Sequence, residues 1–319
     1  MPDQPLVSVV TPSYNQAAFL EQTLRSVLDQ DYPSLEYLVV DGGSNDGSVE
    51  IIKHYADHLA WWVSEKDRGQ AEAINKGLAR AKGEYVAWLN SDDYYLPGAV
   101  RSAVEVLEAR PDLALVHGDV LAVDAAGKTT KVLRYADWGL EGLMCFNIIG
   151  QPSVFMRRSA LEHAGYLDLS YHYMLDHQLW LRMGQQGAMQ YVPRSWSAAR
   201  FHSESKNVAA SANFGKEAYR IVEWMQSQPG LAEAFRRLER KIWAGAYRID
   251  ARYLLDADKP REALDAYWKS LHADASTALK EWNRMVYCLL AMVGLKGLRP
   301  LYQKMRGNGS QAENSVKKG

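Results

Sequence analysis

The 319 residues carry 37 basic and 38 acidic side chains, a formal net charge of −1, and 47% of them are hydrophobic. A chain of this length buries a sizeable core with room for more than one folding unit, and its near-neutral charge excludes a general nucleic-acid binder, which needs a basic face. Cys145 and Cys288 stand far apart in apolar surroundings and read as buried free thiols of a reducing compartment, with neither a disulfide nor a zinc site. The first residues lack the basic and apolar regions of a signal peptide, and no apolar run approaches the roughly 20 residues of a membrane span. The expectation is a cytoplasmic protein.

In chain order, four short apolar strands each run into a polar cluster: Leu6–Val10 into Thr11-Pro12-Ser13-Tyr14-Asn15, Leu35–Val40 into Asp41-Gly42-Gly43-Ser44-Asn45-Asp46, Leu59–Val63 into Ser64–Gln70, and Tyr85–Leu89 into Asn90-Ser91-Asp92-Asp93. Helical patterns follow: Ala18–Asp29 with Phe19, Leu20, Leu24, Val27 and Leu28 at helical spacing, Val49–Tyr55 behind the capping oxygens of Asn45–Ser48, and Gly69–Lys82 with Gly83 as its C-cap. A fourth helix runs from Pro97 to Ala109. Short buried strands alternating with helices imply a parallel sheet, and ligands bind beyond the carboxyl ends of such strands. All four polar clusters are therefore expected on one edge of one sheet.

Beyond this, Leu113–His117 reads as a strand, Val120–Val123 and Lys131–Tyr135 as a hairpin, Ser153–Met156 and Gln190–Val192 as strands, and Leu175–Gln186 as a helix. From about Ser211 to Arg306 the pattern is helical, and Gly307–Gly319 reads as a disordered tail. Ala278, Leu279, Trp282, Met285, Val286, Leu289, Leu290 and Val293 form one apolar stripe. It is followed by Lys296, Arg299, Lys304, Arg306, Lys317 and Lys318 against the single acid Glu313. The stripe either packs on neighbouring helices, within the chain or in a homo-oligomer, or docks with the basic end on an anionic membrane.

Asp92 and Asp93 are either first-turn acids of a helix or a carboxylate pair whose mutual repulsion calls for a cation, with Mg2+ or Mn2+ the ions suited to hard oxygen ligands. Asp41 is either an Asx-turn residue or an acceptor for a nucleobase. The motifs Val9–Asn15, Val39–Ser44, Ser64–Ala71, Ala73–Gly77 and Trp88–Asp93, in order and suitably spaced, resemble those of family 2 glycosyltransferases over roughly residues 6–206.

The resemblance implies a GT-A fold, Rossmann-like with a mostly parallel sheet flanked by helices, over residues 1–210, and the helical pattern makes 211–306 an all-α extension. It implies transfer of a sugar from a UDP- or GDP-sugar to a saccharide or lipid-linked acceptor, with inversion and a Mg2+ or Mn2+ ion. Asn90-Ser91-Asp92 then matches the Asp-x-Asp motif, Asp92 being the metal ligand and Asn90 replacing the commoner acid. Thr11, Pro12, Tyr14, Asn15 and Asp41 would form the base and ribose pocket, and Arg68, Gln70 and Asn75 the diphosphate and sugar contacts. Asp176, in Leu175-Asp176-His177-Gln178-Leu179-Trp180, would be the catalytic base; its bland alternative is a helix N-terminal acid. In Arg200–Lys206, His202 would complete the metal site while Arg200 and Lys206 neutralise the diphosphate; the alternative is a solvated polar loop. Gln151-Pro152-Ser153 would line the acceptor side. A sugar-phosphate nucleotidyltransferase is a competing reading, but it wants a Gly-rich basic loop after the first strand. An inactive interaction protein of the same fold is another, and the three acids Asp41, Asp92 and Asp176 speak against it.

Overall fold

A computed structural model describes residues 4–202 and 213–295. The expected tail, the whole basic run after the stripe and the end of the expected helical region, 296–306, lie outside them, as does Lys206. The chain divides into two compact units, one of Met1–Leu140 with Ile148–Phe201 and one of Glu141–Asn147 with His202–Gly319.

The first unit opens with β1 (Val7–Ser13), α1 (Ala17–Leu28), β2 (Leu35–Asp41), α2 (Ser48–His54), β3 (Trp61–Ser64), α3 (Gln70–Leu78) and β4 (Tyr85–Trp88). These strands stand in the order β3-β2-β1-β4, each pair parallel, with Ser13 in register with Asp41 and Asp41 with Ser64. The four polar clusters thus share one sheet edge, as the alternation of strand and helix predicts. Burial explains the pattern: β1 is buried along its whole length, so its apolar run is continuous where a half-exposed strand would alternate.

The first two helices keep the length of their patterns, shifted by one residue, whereas α3 is shorter than its own. α3 ends at Leu78, and Gly83 is no cap: its N–H donates to Ser8 Oγ at 2.8 Å, and a Cβ there would stand 2.6 Å from the Ser8 amide nitrogen. Within α3, Gly77 lets the helix approach β1 so closely that a Cβ would meet Val10 Cγ1 at 2.3 Å. α2 begins at Ser48 after a left-handed Gly47, and Asp46 accepts from the Ser48 amide at 3.0 Å and the Ala17 amide at 2.9 Å, tying the second loop to α1.

The rest of the sheet is mixed: β5 (Tyr94–Tyr95), β6 (Leu113–Val123), β7 (Thr129–Leu133), β8 (Val154–Arg157) and β9 (Ala188–Arg200), extending the order as β4-β8-β6-β9-β5 with β7 beside β6. β8 runs antiparallel to β4 and β6, while β9 is parallel to β6. The two separate strands expected over 113–123 are one, and β9 is far longer than the expected 190–192. Pro193 explains why its signal is broken: a proline cannot donate to the ladder, and the β6–β9 register shifts between the pairs His117–Tyr191 and Asp119–Ser195 on either side of it. Between these strands lie α4 (Ala99–Ala109), α5 (Gly139–Met144, mostly in the second unit), α6 (Arg158–Ala164) and α7 (Leu175–Met183).

The second unit is helical over Phe214–Ser227, Ala232–Asp256, Pro260–Ala273, Ala275–Ala278 and Trp282–Met292. Its core gathers Ala251, Leu254, Ala263, Tyr267, Tyr287 and Cys288. Cys288 is buried and Cys145 half-buried, both free. Of the apolar stripe, Ala278 is buried and Met285 packs against the core, but Trp282, Val286, Leu289 and Val293 are all exposed, while Arg284, Tyr287, Cys288 and Ala291 point into the core. The reason is a buried ion cluster. Glu281 accepts from Arg248 Nη1 at 3.1 Å, from Arg252 Nε at 3.0 Å and from the Tyr267 hydroxyl at 2.8 Å, with Arg284 Nε at 3.4 Å. Satisfying Arg284 fixes which face of the helix turns inward.

Burial alone would raise the Glu281 carboxyl, but the charges of Arg252, Arg248 and Arg284 outweigh it and hold the group well below the usual carboxylate range. A depressed folded pKa means stability that is present above the unfolded value near 4.5 and lost as pH falls through that value toward the folded one. Glu281→Gln leaves three guanidinium groups around a neutral amide and should cost about 3–5 kcal/mol at neutral pH. In denaturant titrations the gap between wild type and variant should shrink between about pH 5 and pH 3; a gap independent of pH would contradict the charge account.

Candidate functional site

At the end of β1 the chain turns through Asn15, a non-glycine residue with φ of 51°, a conformation asparagine tolerates better than most. Asn15 Oδ1 accepts from the Asn45 amide at 3.0 Å and the Asn15 amide donates to Ser44 Oγ at 2.8 Å, so the loops after β1 and β2 are knitted together. Thr11 and Pro12 lie inside β1, buried, and Thr11 Oγ1 pairs with the Tyr37 hydroxyl at 2.8 Å. Of the expected base pocket, Tyr14 alone stands well exposed, at 61%. Ser13 Oγ is buried beside Asp41 with no hydrogen-bond partner among the described residues.

Asp41 is fully buried. Its Oδ2 accepts from the Gly43 and Ser44 amides and Ser64 Oγ at 3.0, 2.8 and 2.7 Å, and its Oδ1 from Ser44 Oγ at 2.5 Å. A carboxylate offers about four lone-pair positions, so a direct bond to a base needs one of these donors to leave. In this structure Asp41 shapes the loop, the turn-forming alternative of the sequence reading. Asn75 is corrected in the same way: its amide donates to the Leu167 carbonyl at 2.8 Å and accepts from the Leu167 amide at 2.9 Å, leaving it to staple α3 to the loop before α7. Arg182 holds the start of that loop through the carbonyls of Ala164, Gly165 and Tyr166 at 2.6, 2.8 and 2.7 Å.

Arg68 and Gln70 stand at the N-terminal end of α3. Arg68 is exposed and pairs with Glu72 at 3.0 Å, a surface contact an anion can displace. With Gly69, Ala71, Glu72, Leu169 and His172 it lines a cavity of about 250 Å³. A larger hollow of about 550 Å³ runs along α1, lined by Glu21, Gln22, Arg25 and Tyr94 among others, and none of the four parallel strand ends lines it.

Past β4, Gln70 Nε2 donates to Asn90 Oδ1 at 2.7 Å, Asn90 Nδ2 to Gln151 Oε1 at 3.1 Å, and Gln151 Nε2 to the Trp88 carbonyl at 2.9 Å. Asn90 suits this chain because an amide both accepts and donates; a carboxylate in its place would face Gln151 Oε1 with a second acceptor. Ser91 is buried, and Asp92 is half-buried. Asp93 is buried; burial and the neighbouring Asp92 charge push its carboxyl up, against the pull of the Arg200 amide at 3.0 Å.

Arg200 overturns its expected role. Only 5% exposed, it donates Nε to the Asp92 carbonyl at 3.1 Å, Nη1 to the carbonyls of Asp124 and Ala125 at 3.3 and 2.8 Å, and Nη2 to Gln22 Oε1 at 2.6 Å, with its guanidinium over Phe19 and Tyr94. Its donors are used inside the protein, so it fixes the loop that carries Asp92 and does not reach a diphosphate. Thr23, which the sequence reading missed, does the same from α1, donating to the Ser91 and Asp93 carbonyls at 2.9 and 2.6 Å. Its signal was a lone hydroxyl between Leu20, Leu24 and Val27 on a buried stripe, where it must find an acceptor.

Asp176 sits in the first turn of α7, half-buried, with Oδ1 accepting from the His177 amide at 2.7 Å. The helix is fixed to the rim by Trp180, stacked on Trp88 with centroids 5.2 Å apart. His202 falls in the second unit. Among the described residues no three His, Cys, Asp or Glu side chains form a metal cage.

The model of the family described as Glycosyl transferase family 2 matches residues 8–151. An uncharacterized glycosyltransferase of Mycobacterium tuberculosis is 30% identical over 185 residues, 57% of this chain and 70% of that protein, and one of Rickettsia typhi is 36% identical over 214 residues, 64% and 67%. The Bacillus subtilis protein TuaG, whose name links it to teichuronic acid biosynthesis, is 41% identical over 110 residues, 34% of this chain; the chain spans 44% of that relative's length. Two solved structures share the fold: S. aureus TarS 1–349 in complex with UDP-GlcNAc, at 16% identity over 86% of this chain and 91% of that one with a TM-score of 0.60, and the mannosyltransferase PcManGT from Pyrobaculum calidifontis in complex with GDP-Man and Mn2+, at 20% identity over 92% and 88% with a TM-score of 0.62.

If the Thr23 hydroxyl anchors the Ser91–Asp93 loop, Thr23→Val keeps the volume but strands two buried carbonyls. Chemical denaturation should show a loss of about 1–3 kcal/mol. A change below about 0.3 kcal/mol would mean that the loop holds itself without Thr23.

Proposed function

The chain belongs to glycosyltransferase family 2, and from that premise we propose that its first unit moves a sugar from a UDP- or GDP-sugar to an acceptor hydroxyl, with inversion, in the cytoplasm, for a bacterial surface polysaccharide or glycolipid. The observation that carries the reading is Asp92. It is the half-buried carboxylate that a strongly braced loop holds at the carboxyl end of β4, on the edge where a parallel sheet takes its ligands. UDP-GlcNAc and GDP-Man in the two structural relatives support the donor class, and TuaG's printed name supports the polysaccharide setting.

The donor set fits a divalent cation held together with substrate. Mg2+ and Mn2+ are commonly bound by one or two carboxylates plus substrate phosphates, and Asp92 offers one carboxylate, with no protein cage around it among the described residues. When bound, such an ion would offset the charge building on the departing diphosphate. The residues of this chain do the rest. Arg68 and the α3 N-terminus stand on the same sheet edge as Asp92 and would meet the leaving diphosphate, since a positive helix end favours an anion. Gln70, Asn90 and Gln151 present a neutral polar wall. Asp176 takes the acceptor's proton as the acceptor oxygen bonds to the anomeric carbon and the bond from that carbon to the phosphate oxygen breaks on the opposite face. The nucleoside diphosphate leaves with that electron pair.

Asp176→Asn keeps the helix and the hydrogen bond from the His177 amide but cannot accept a proton. With UDP-GlcNAc and GDP-mannose tested in turn, each with Mn2+, the donor that the wild type uses should still bind the variant, while sugar transfer falls about 100-fold or more. Transfer within a few-fold of wild type would assign the proton to another group.

A further inference from the structure

The hollow along α1 lies apart from the strand ends that carry the site, and its lining is chemically distinct. Its volume of about 550 Å³ is in the usual range of ligand sites. Ala18 lines one end and Asp29 the other, a run of about 16 Å along a helix, so the hollow is elongated. It starts beside the rim, where the Ala17 amide donates to Asp46 of the loop after β2. Glu21, Arg25 and Asp29 line it at steps of four residues, acid, base, acid. The same spacing closes an ion pair elsewhere in the chain, at Arg68–Glu72, Arg158–Glu162 and Asp265–Lys269. Here none forms: among the described residues no hydrogen bond or ion pair holds the side chain of Arg25 or Asp29. Glu21 accepts from the Tyr55 hydroxyl through one oxygen, and Gln22 gives its Oε1 to Arg200, which leaves its amide N–H groups to donate. Tyr94 adds an aromatic ring to the wall.

We infer that this hollow binds an extended, uncharged saccharide chain. Its two carboxylates against one guanidinium repel a polyphosphate or another polyanion. An apolar ligand would cover the Arg25 and Gln22 donors without pairing them. Among the described residues no three His, Cys, Asp or Glu side chains form a metal cage. A sugar hydroxyl, by contrast, both donates and accepts. A row of them donates to the carboxylates of Glu21 and Asp29 and accepts from Arg25 and Gln22, while the C–H face of a sugar ring lies on the negative face of the Tyr94 ring. The elongated form suits several linked rings better than one. On the sugar-transfer reading, on which this identity of the chain rests, the occupant is a stretch of acceptor away from the reacting hydroxyl. Holding that stretch raises the effective concentration of the end that reacts.

Saturation-transfer NMR on the full chain, with neither donor nor metal, reads binding apart from transfer. Chitotetraose and mannotetraose serve as neutral probes and tetragalacturonate as the anionic one. At least one neutral probe should bind, about tenfold or more tighter than tetragalacturonate. The double variant Arg25→Ala with Asp29→Ala changes two exposed positions outside the proposed transfer machinery, and should weaken that binding about tenfold or more at an unchanged Tm. Asp176→Asn should bind the probe as wild type does. Binding of neither neutral probe overturns the inference and leaves the transfer reading standing, because that reading is tested separately by turnover of Asp176→Asn with donor. Preference for tetragalacturonate also overturns it, as does a neutral signal that the double variant leaves unchanged; if that signal is lost in Asp176→Asn, the chain lies in the reaction site instead.

Discussion

A guanidinium taken out of water must find acceptors for nearly all of its N–H groups, and Arg200 at the end of β9 finds them in the backbone of two loops and in a side chain of α1. That requirement makes three distant stretches of sequence converge. The Asp92 carbonyl is drawn to the guanidinium, the Arg200 amide reaches Asp93, and Thr23 closes the same loop from the other side. Burial and the neighbouring Asp92 charge push the Asp93 carboxyl up, and the Arg200 amide and guanidinium offset only part of that. The consequence for function is positional. Asp92 is left at the rim on a loop whose backbone is fixed, and a metal-binding or leaving-group contact depends on such fixity more than on the side chain itself.

The same logic of buried charge operates in the second unit with a different result. Glu281 gathers Arg248, Arg252 and Arg284, and satisfying that cluster sets which face of the last described helix turns inward. Small and polar residues take the interior, and the larger apolar side chains are turned out. A hydrophobic count along the helix would assign its faces the other way.

Much of the fold was legible because its parallel half obeys one rule: buried strands read as unbroken apolar runs, and each here ends in a polar cluster. The mixed half was less so. Pro193 interrupts β9, and β6 reads as two segments because Gly118 sits where Arg194 and Trp196 approach its backbone. In the site, sequence located the rim and the carboxylates but not which polar residues face a ligand. Arg200, Asn75 and Asp41 are the residue types a phosphate, sugar or base contact would use, yet each is consumed by bonds to partners far away or in its own turn. Those partners are set by tertiary geometry, which no local pattern encodes. Thr23 was hidden for the opposite reason, as a residue with an ordinary helical position and an unusual destination.

The central claim is that the braced loop after β4 presents Asp92 to a divalent cation in company with a nucleotide-sugar. Electron paramagnetic resonance of Mn2+ tests it without relying on turnover or on the acceptor. With UDP-GlcNAc or GDP-mannose present, wild-type protein should convert free Mn2+ signal into bound signal beyond what the nucleotide-sugar does alone, and neither protein without donor nor the Asp92→Ala variant with donor should do so. Equal Mn2+ binding by wild type and Asp92→Ala, or binding that needs no nucleotide-sugar, would contradict the account.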